Sequence, residues 1–331
     1  MSSFEKVGVM GGGAWGTALA LAAARADRQV TLWARNDETV RAINSSRQNP
    51  DYLPGITFDA PINATGDLAD LSGQDAMLLV TPAQTTRAMA SQLASLYSGA
   101  IPVLLCAKGI ERHSGQLLSE VFTAEMPNAI PAVLSGPSFA DDVAAGLPTA
   151  VTIAAPDLDV ADALSRMLAS NTLRPYASDD ITGAQIGGSL KNVLAIACGA
   201  VVGKGLGASA VAALTARGFA ELTRLGTALG ARAETLTGLS GLGDLVLTCS
   251  SKQSRNFSFG IKLGQGMSIE ELSQPGQKLA EGAHTAEVAV DLAGKHDVEL
   301  PICEAVANTV SGKTSVDQAI ATLLRRPLRH E

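Results

Sequence analysis

Aromatic side chains make up only 4% of this sequence and charged side chains 17%. The formal net charge is −7 and no Lys/Arg run is present, which excludes nucleic acid as the expected partner. Cysteine is just as sparse. Cys106, Cys198, Cys249 and Cys303 stand far apart, without a C-x-x-C pair or His-rich spacing. Neither a disulfide framework nor a metal site is therefore expected, and reduced thiols in the cytoplasm are. The opening "MSSFEKVGVM" lacks the charged-then-apolar pattern of a leader. The most apolar later stretch, "KNVLAIACGAVVGKG", is punctuated by Gly and Lys and reads as falling short of a membrane span, so no membrane insertion is expected. What is plentiful is apolar residue, at 46% over 331 residues, enough for two cores rather than one.

The first half alternates. "KVGVM", "RQVTLWA", "DAMLLVT", "IPVLLCA" and "NAIPAVLS" are apolar runs of buried-strand length. Helix-like stretches at Ala14–Ala26, Asp37–Ser46, Thr85–Leu96 and Ser114–Glu125 separate several of them. That pattern predicts a parallel sheet covered on both faces, extended by "TAVTIAA" and "TLRPYAS". After Asp180 the strands give way to Ala/Leu/Gly-rich helical stretches; Phe219, Leu222, Leu225 and Leu229 recur at helical spacing. The expected fold is α/β, a doubly wound and mostly parallel sheet over residues 1–180, followed by an all-helical domain over residues 181–331. The packed helical half makes a homodimer the expectation.

Three consecutive glycines need a reason, because each costs about 0.5–1 kcal/mol in an ordered element. Strand "KVGVM", turn "GGGAWG" and helix "TALALAAARA" place Gly11, Gly13 and Gly16 at the G-x-G-x-x-G positions of a Rossmann-like dinucleotide site. The first glycine makes the sharp turn, the second admits the pyrophosphate, and the third lets helix pack on strand. The helix start adds N–H groups and a positive dipole end for the phosphates. At the end of the second strand, where an NAD-preferring site expects an acid, the chain reads "VTLWARND" with Arg35. Arg35 either forks onto a 2′-phosphate, which favours NADP(H) over NAD(H), or faces solvent at a helix start.

Substrate groups are expected near the carboxyl ends of the strands. Lys108 ends "PVLLCAK", and Gly136, Pro137 and Ser138 make a tight turn after the next strand. Ser138 holds a polar ligand, caps a helix whose first turn carries Asp141 and Asp142, or does both. In the second half, Lys191 and Asn192 interrupt a strongly apolar helical stretch. Lys191 either snorkels to water or is held by function, where partial burial lowers a lysine pKa from about 10.4 and suits proton exchange with a carbonyl or alcohol oxygen. Asp244 and Thr248 share one helical face, and Ser254, Arg255 and Asn256 follow in the same segment. Lys108, Lys191 and Arg255 are cations in an otherwise acidic chain, a set suited to a small phosphorylated substrate.

At these residues the sequence resembles the soluble NAD(P)-dependent glycerol-3-phosphate dehydrogenases. The motifs are "GGGAWGTALA", "AKGIE", "SGPSFA", "LKNVLAIA", "RLGTALGA", "GLSGLGDLVLTC" and "QSRNFSFG", in order along nearly the whole chain. The resemblance implies interconversion of glycerone phosphate, a small phosphorylated three-carbon substrate, and sn-glycerol 3-phosphate, feeding glycerolipid synthesis. It also implies that Lys191 is the proton-exchanging lysine and that Lys108 is shared by cofactor and substrate. Gly136, Ser138, Asp244, Ser254, Arg255 and Asn256 match substrate contacts, with Arg255 also near the cofactor. Trp15, Arg35, Ala140, Leu279 and Glu281 match cofactor positions.

The chain departs from the family pattern at Ala14, where Ser is frequent, and at Ala208–Ser209, where an acidic-Asn pair is frequent. The first removes a side-chain hydrogen bond to the cofactor, and the second a local helix-start signal. Two alternatives stay open at this point: a 3-hydroxy acid dehydrogenase, whose substrate would carry a carboxylate, and an NADP-sensing protein without turnover.

Overall fold

The computed structural model describes residues 4–97, 99–272 and 280–327. The chain divides into two compact units. Residues 1–108 and 116–185 form the first, and residues 109–115 and 186–331 the second.

The first unit is built on an eight-stranded sheet in the order β3-β2-β1-β4-β5-β6-β7-β8. Its strands are β1 (Lys6–Met10), β2 (Gln29–Trp33), β3 (Asn63–Thr65), β4 (Ala76–Leu79), β5 (Pro102–Leu105), β6 (Ile130–Ser135), β7 (Thr149–Ala154) and β8 (Leu173–Ser178). Between them run α1 (Ala14–Arg25), α2 (Asp37–Ser46), α3 (Thr86–Ala94), α4 (Leu118–Glu125), α5 (Ala140–Ala144) and α6 (Leu158–Leu168). Successive strand residues point to opposite faces. Val7, Val9, Leu32, Leu78 and Leu104 therefore join one apolar cluster, while Met10, Met77, Leu79, Val103 and Leu105 join another. Burial on both faces explains why these strands read as continuous apolar runs.

All sheet pairs are parallel except β6–β7, where Leu134 faces Ile153 in antiparallel register. The cause is the connection. It carries only five-residue α5, against eleven-residue α6 between parallel β7 and β8, whereas a parallel crossover usually runs through a full helix. Strand β3, three residues long with an Asn-Ala-Thr sequence, gives no apolar run and was not expected. Helix α4 starts at Leu118 rather than Ser114, because Glu120 reaches back to the Leu117 N–H at 2.8 Å and fixes the start there.

Helix α7 (Ile181–Gly203) leaves the first unit and continues in the second. There α8 (Ala208–Ala228), α9 (Ala233–Thr237), α10 (Asp244–Ser250), α11 (Arg255–Gly264), α12 (Ile269–Leu272), α13 (Glu281–Lys295), α14 (Pro301–Val310) and α15 (Val316–Leu324) follow. No β-strand occurs among its described residues. A π-helical turn, Leu239–Gly243, leads into α10. The reading of this region as too short for a membrane span is corrected: α7 runs 23 residues and is long and apolar enough by length and composition. Yet 78% of its apolar window is buried inside the protein, as in a core helix. Its glycines are packing surfaces rather than breaks. Helix α8 begins at Ala208 behind Gly207, so the missing acidic-Asn pair does not prevent its start.

Candidate functional site

In the first unit, the turn between β1 and α1 has the shape an anion requires. Gly11 has φ +133°, a conformation closed to most side chains, and its N–H donates to the Trp33 carbonyl at 3.0 Å. A Cβ on Gly16 would lie 1.8 Å from the Gly11 carbonyl oxygen, so only glycine lets α1 approach this closely. A Cβ on Gly13 would meet no atom within 4 Å: that side of the turn is open. No side chain caps α1 and no acid sits in its first turn. The turn thus fits a dinucleotide pyrophosphate, with backbone N–H groups and a helix dipole facing the open side. Trp15 is half-buried against the sheet core, and Ala14 opens the helix.

Arg35 follows β2 and is exposed, while Asn36 caps α2 by accepting from the Glu38 N–H at 2.8 Å. On the far side of β1, Lys108 and Ser138 converge on one atom. The Lys108 ammonium donates to the Gly136 carbonyl at 3.2 Å and the Ser138 hydroxyl donates to the same oxygen at 3.1 Å. Gly136 has φ +137°, and a Cβ there would crowd the Val151 Cα at 3.0 Å. The alternative of Ser138 as a helix cap is overturned: α5 starts at Ala140 behind Phe139, with no side-chain cap. Ser138 instead stiffens the turn that leads into Ala140.

In the second unit, Lys191 is only 6% exposed and does not snorkel to water. It forms an ion pair with the Asp244 carboxylate and donates to the Thr248 hydroxyl at 2.9 Å. Asp244 and Thr248 are also buried, and the Thr248 hydroxyl donates to the same carboxylate at 3.3 Å. The one charged residue of α7 thus meets the first two turns of α10 in an ammonium–carboxylate–hydroxyl cluster. A buried charge needs such partners, since an unpaired one is strongly disfavoured. Next to it, a hydrogen bond with Cys198, together with burial, holds the Cys249 thiol well above the ordinary thiol range. Burial thus works against a thiolate at Cys249.

Segment "SRN" forms the start of α11. The Ser254 hydroxyl accepts from the Phe257 N–H at 3.2 Å, and Arg255 is exposed. By helix geometry the N–H groups of Arg255 and Asn256 have no intrahelical acceptor. The Asn256 side chain bridges helices: its Nδ2 donates to Asn192 Oδ1 at 2.9 Å, and its Oδ1 accepts from the Gly282 N–H at 2.9 Å. Sequence reasoning missed this bridge, and Gly282 with it, because nothing local marks a contact among α7, α11 and α13. Glu281 is half-buried at the first position of α13, and Leu279 lies outside the described residues.

The family model for the N-terminus of NAD-dependent glycerol-3-phosphate dehydrogenase matches residues 6–161, and the C-terminal model matches residues 180–321. A protein of Parvibaculum lavamentivorans named glycerol-3-phosphate dehydrogenase [NAD(P)+] is 55% identical over 329 residues, 99% of each chain. A protein of the same name from Rhodopseudomonas palustris is 53% identical over the full length of both. The chain belongs to the NAD-dependent glycerol-3-phosphate dehydrogenase family. The crystal structure of glycerol-3-phosphate dehydrogenase from Coxiella burnetii superposes with a TM-score of 0.92 at 38% identity, over 98% of this chain and 100% of that one. A ketopantoate reductase of Ralstonia eutropha, at 17% identity and a TM-score of 0.61, shares the fold alone. Family membership makes NAD(H) or NADP(H) the cofactor.

Proposed function

We propose that the chain interconverts glycerone phosphate and sn-glycerol 3-phosphate, with Lys191 exchanging the proton. The observation that carries this reading is the buried Lys191–Asp244–Thr248 cluster, which holds a cation inside an apolar helical core. Bound NAD(P)H supplies the hydride received by C2. Lys191 Nζ donates to the carbonyl oxygen of the substrate and passes it a proton as charge develops there. In the oxidative direction the same nitrogen takes the proton back. Asp244 and Thr248 fix Nζ in place, so the lysine needs little reorganisation during the step.

The remaining residues divide between the two ligands. Arg255 forks onto the substrate phosphate, and the N–H groups of Arg255 and Asn256 at the α11 start add the helix-terminus contribution. Asn256 acts through its backbone, since its carboxamide is engaged with Asn192 and Gly282. Ser254 holds that helix start in shape. Lys108, Gly136 and Ser138 form a polar turn that meets substrate and cofactor, with Ala140 against the cofactor. Gly11, Gly13, Gly16 and Trp15 take the pyrophosphate side, Arg35 the adenosine ribose, and Leu279 and Glu281 the remaining cofactor contacts. The first unit is thus the dinucleotide-binding half and the second the substrate half. A homodimer belongs to this reading and is supported by exposed Val202, Leu206, Leu242, Val246 and Leu324 in the helical unit; light scattering tests it.

The family match does not favour a 3-hydroxy acid dehydrogenase or a sensor without turnover. Following NADPH absorbance with glycerone phosphate tests the activity, and a carboxylate-bearing 3-oxo acid reduced faster than glycerone phosphate would overturn it. Lys191→Arg and Lys191→Ala are expected to lower kcat about a thousandfold while NADPH still binds. Normal turnover by folded Lys191→Ala ends the assignment of this lysine.

A further inference from the structure

The glycine turn is gripped from beneath by a residue of another segment. Asn49, between α2 and β3, is completely buried. Its Nδ2 donates to the Gly12 carbonyl at 3.0 Å and to the Thr17 hydroxyl at 2.8 Å. Thr17 in turn donates its N–H to the Gly13 carbonyl at 2.9 Å. The segment that carries Asn49 is itself fixed. Gln48 and Thr57 pair as an antiparallel bridge, the Asn49 carbonyl accepts from the Leu53 N–H at 2.8 Å, and Leu53 and Phe58 are buried in the sheet core.

This arrangement has a consequence for the peptide that joins Gly12 to Gly13. In a trans peptide the C=O and the following N–H point in opposite directions. With the Gly12 carbonyl held toward Asn49, the Gly13 N–H points away from it. The open side of the turn, where a Cβ on Gly13 would meet nothing within 4 Å, is left for a ligand. A peptide flanked by two glycines has little intrinsic preference between its two orientations, so an external donor decides between them. We infer that Asn49 is a positioning residue for the cofactor: it locks the Gly12–Gly13 peptide so that the Gly13 N–H is presented to the dinucleotide pyrophosphate. This rests on the reading that the Gly11–Gly16 turn holds that pyrophosphate. Asn49 touches neither cofactor nor substrate; it acts through Gly12 and Thr17.

The test is direct titration of NADPH, by its fluorescence, and of ADP-ribose, by competition, both without turnover. Asn49→Ala is expected to raise the Kd of both ligands about tenfold. Adenosine 2′-phosphate, which lacks a pyrophosphate, binds as to wild type. In steady state the KM for NADPH rises by the same factor, while kcat at saturating cofactor changes far less. A merely structural role would lower the melting temperature and leave the Kd of the folded fraction unchanged, which overturns the inference. Should Asn49→Ala not fold, the Thr17 pair carries the test: Thr17→Val deletes the acceptor and weakens NADPH about threefold, and Thr17→Ser restores it. Gly13→Ala, run in parallel, separates the two readings. If Gly13→Ala binds NADPH normally, the turn is not the pyrophosphate site. If Gly13→Ala loses NADPH while Asn49→Ala and Thr17→Val keep the wild-type Kd, only the role of Asn49 falls.

Discussion

The glycines after β1 and the glycines where α7 crosses α11 have different surroundings. In the turn, Gly16 packs on protein while Gly13 faces open space that a ligand can enter. At the helix crossing every glycine faces backbone. A Cβ on Gly199 would lie 2.1 Å from the Phe257 carbonyl oxygen, and one on Gly260 would lie 2.1 Å from that of Ile196. Gly203 and Gly264 repeat the pattern one turn further along, at 2.2 Å from the Ile261 oxygen and 2.3 Å from that of Ala200. One group of glycines shapes a turn with an open side and the other makes room for a second helix. The same residue type therefore leaves space in the first unit and closes it in the second.

One methyl group added at each place should separate these uses. Gly260→Ala has no space to occupy and must push α7 from α11, so it should destabilise the second unit by about 3 kcal/mol, measured as a shift in the urea unfolding midpoint. Gly13→Ala should do the reverse. Gly13 has φ −76° and ψ −178°, which alanine adopts without strain. Stability should change by no more than about 1 kcal/mol, while NADPH affinity falls about tenfold in a fluorescence titration. Equal unfolding midpoints for the two variants would erase the contrast.

The sequence made one of these regions far easier to read than the other. A glycine cluster between an apolar run and a helical stretch has a fixed spacing, each position of which has a mechanical reason, so Gly11, Gly13 and Gly16 were legible. The glycines of α7 and α11 lie at i, i+4 within each helix, but their partners are more than fifty residues away, and nothing local names them. Those of α7 read as breaks in the stretch from Lys191 to Gly205, and so that stretch looks too short for a membrane span. Long-range pairing explains the other misses as well. Asn49 grips Gly12 across 37 residues, and Asn256 reaches Asn192 across 64. The antiparallel β6–β7 pair was hidden because its cause is the length of α5, not the strands. Lys191, by contrast, stands out as a lone charge in an apolar helix, which leaves it to reach water or be held by function; its buried partner Asp244 lies 53 residues on, and nothing local names it.

A third comparison belongs to the cofactor half alone. If Arg35 forks onto a 2′-phosphate, Arg35→Ala should weaken NADPH about tenfold and leave NADH nearly unchanged, read as the ratio of the two kcat/KM values. An unchanged ratio would return Arg35 to the role of an exposed residue at the end of β2. Because the guanidinium is exposed, unfolding should report no difference.

The smallest expected effect lies in the helical unit and turns on a buried carboxylate rather than a glycine. Glu221 of α8 is 1% exposed, and its two oxygens accept from the N–H groups of Ile302 at 2.7 Å and Cys303 at 3.2 Å at the start of α14. Burial raises its pKa against the lowering effect of those donors. For an acid with a raised folded pKa, the native state binds more protons than the unfolded chain between the two values. The stability it contributes is therefore fully present below the unfolded pKa of about 4.3 and is lost as pH rises through the folded value. Glu221→Gln removes that titration. It should flatten the pH dependence of the unfolding midpoint just above the ordinary carboxylate range, and cost about 1 kcal/mol through the acceptor it takes from α14. The NADPH titration should not move. If it did, a buried acid whose bonds are to the start of α14 would also bear on cofactor binding, and its role would be more than packing.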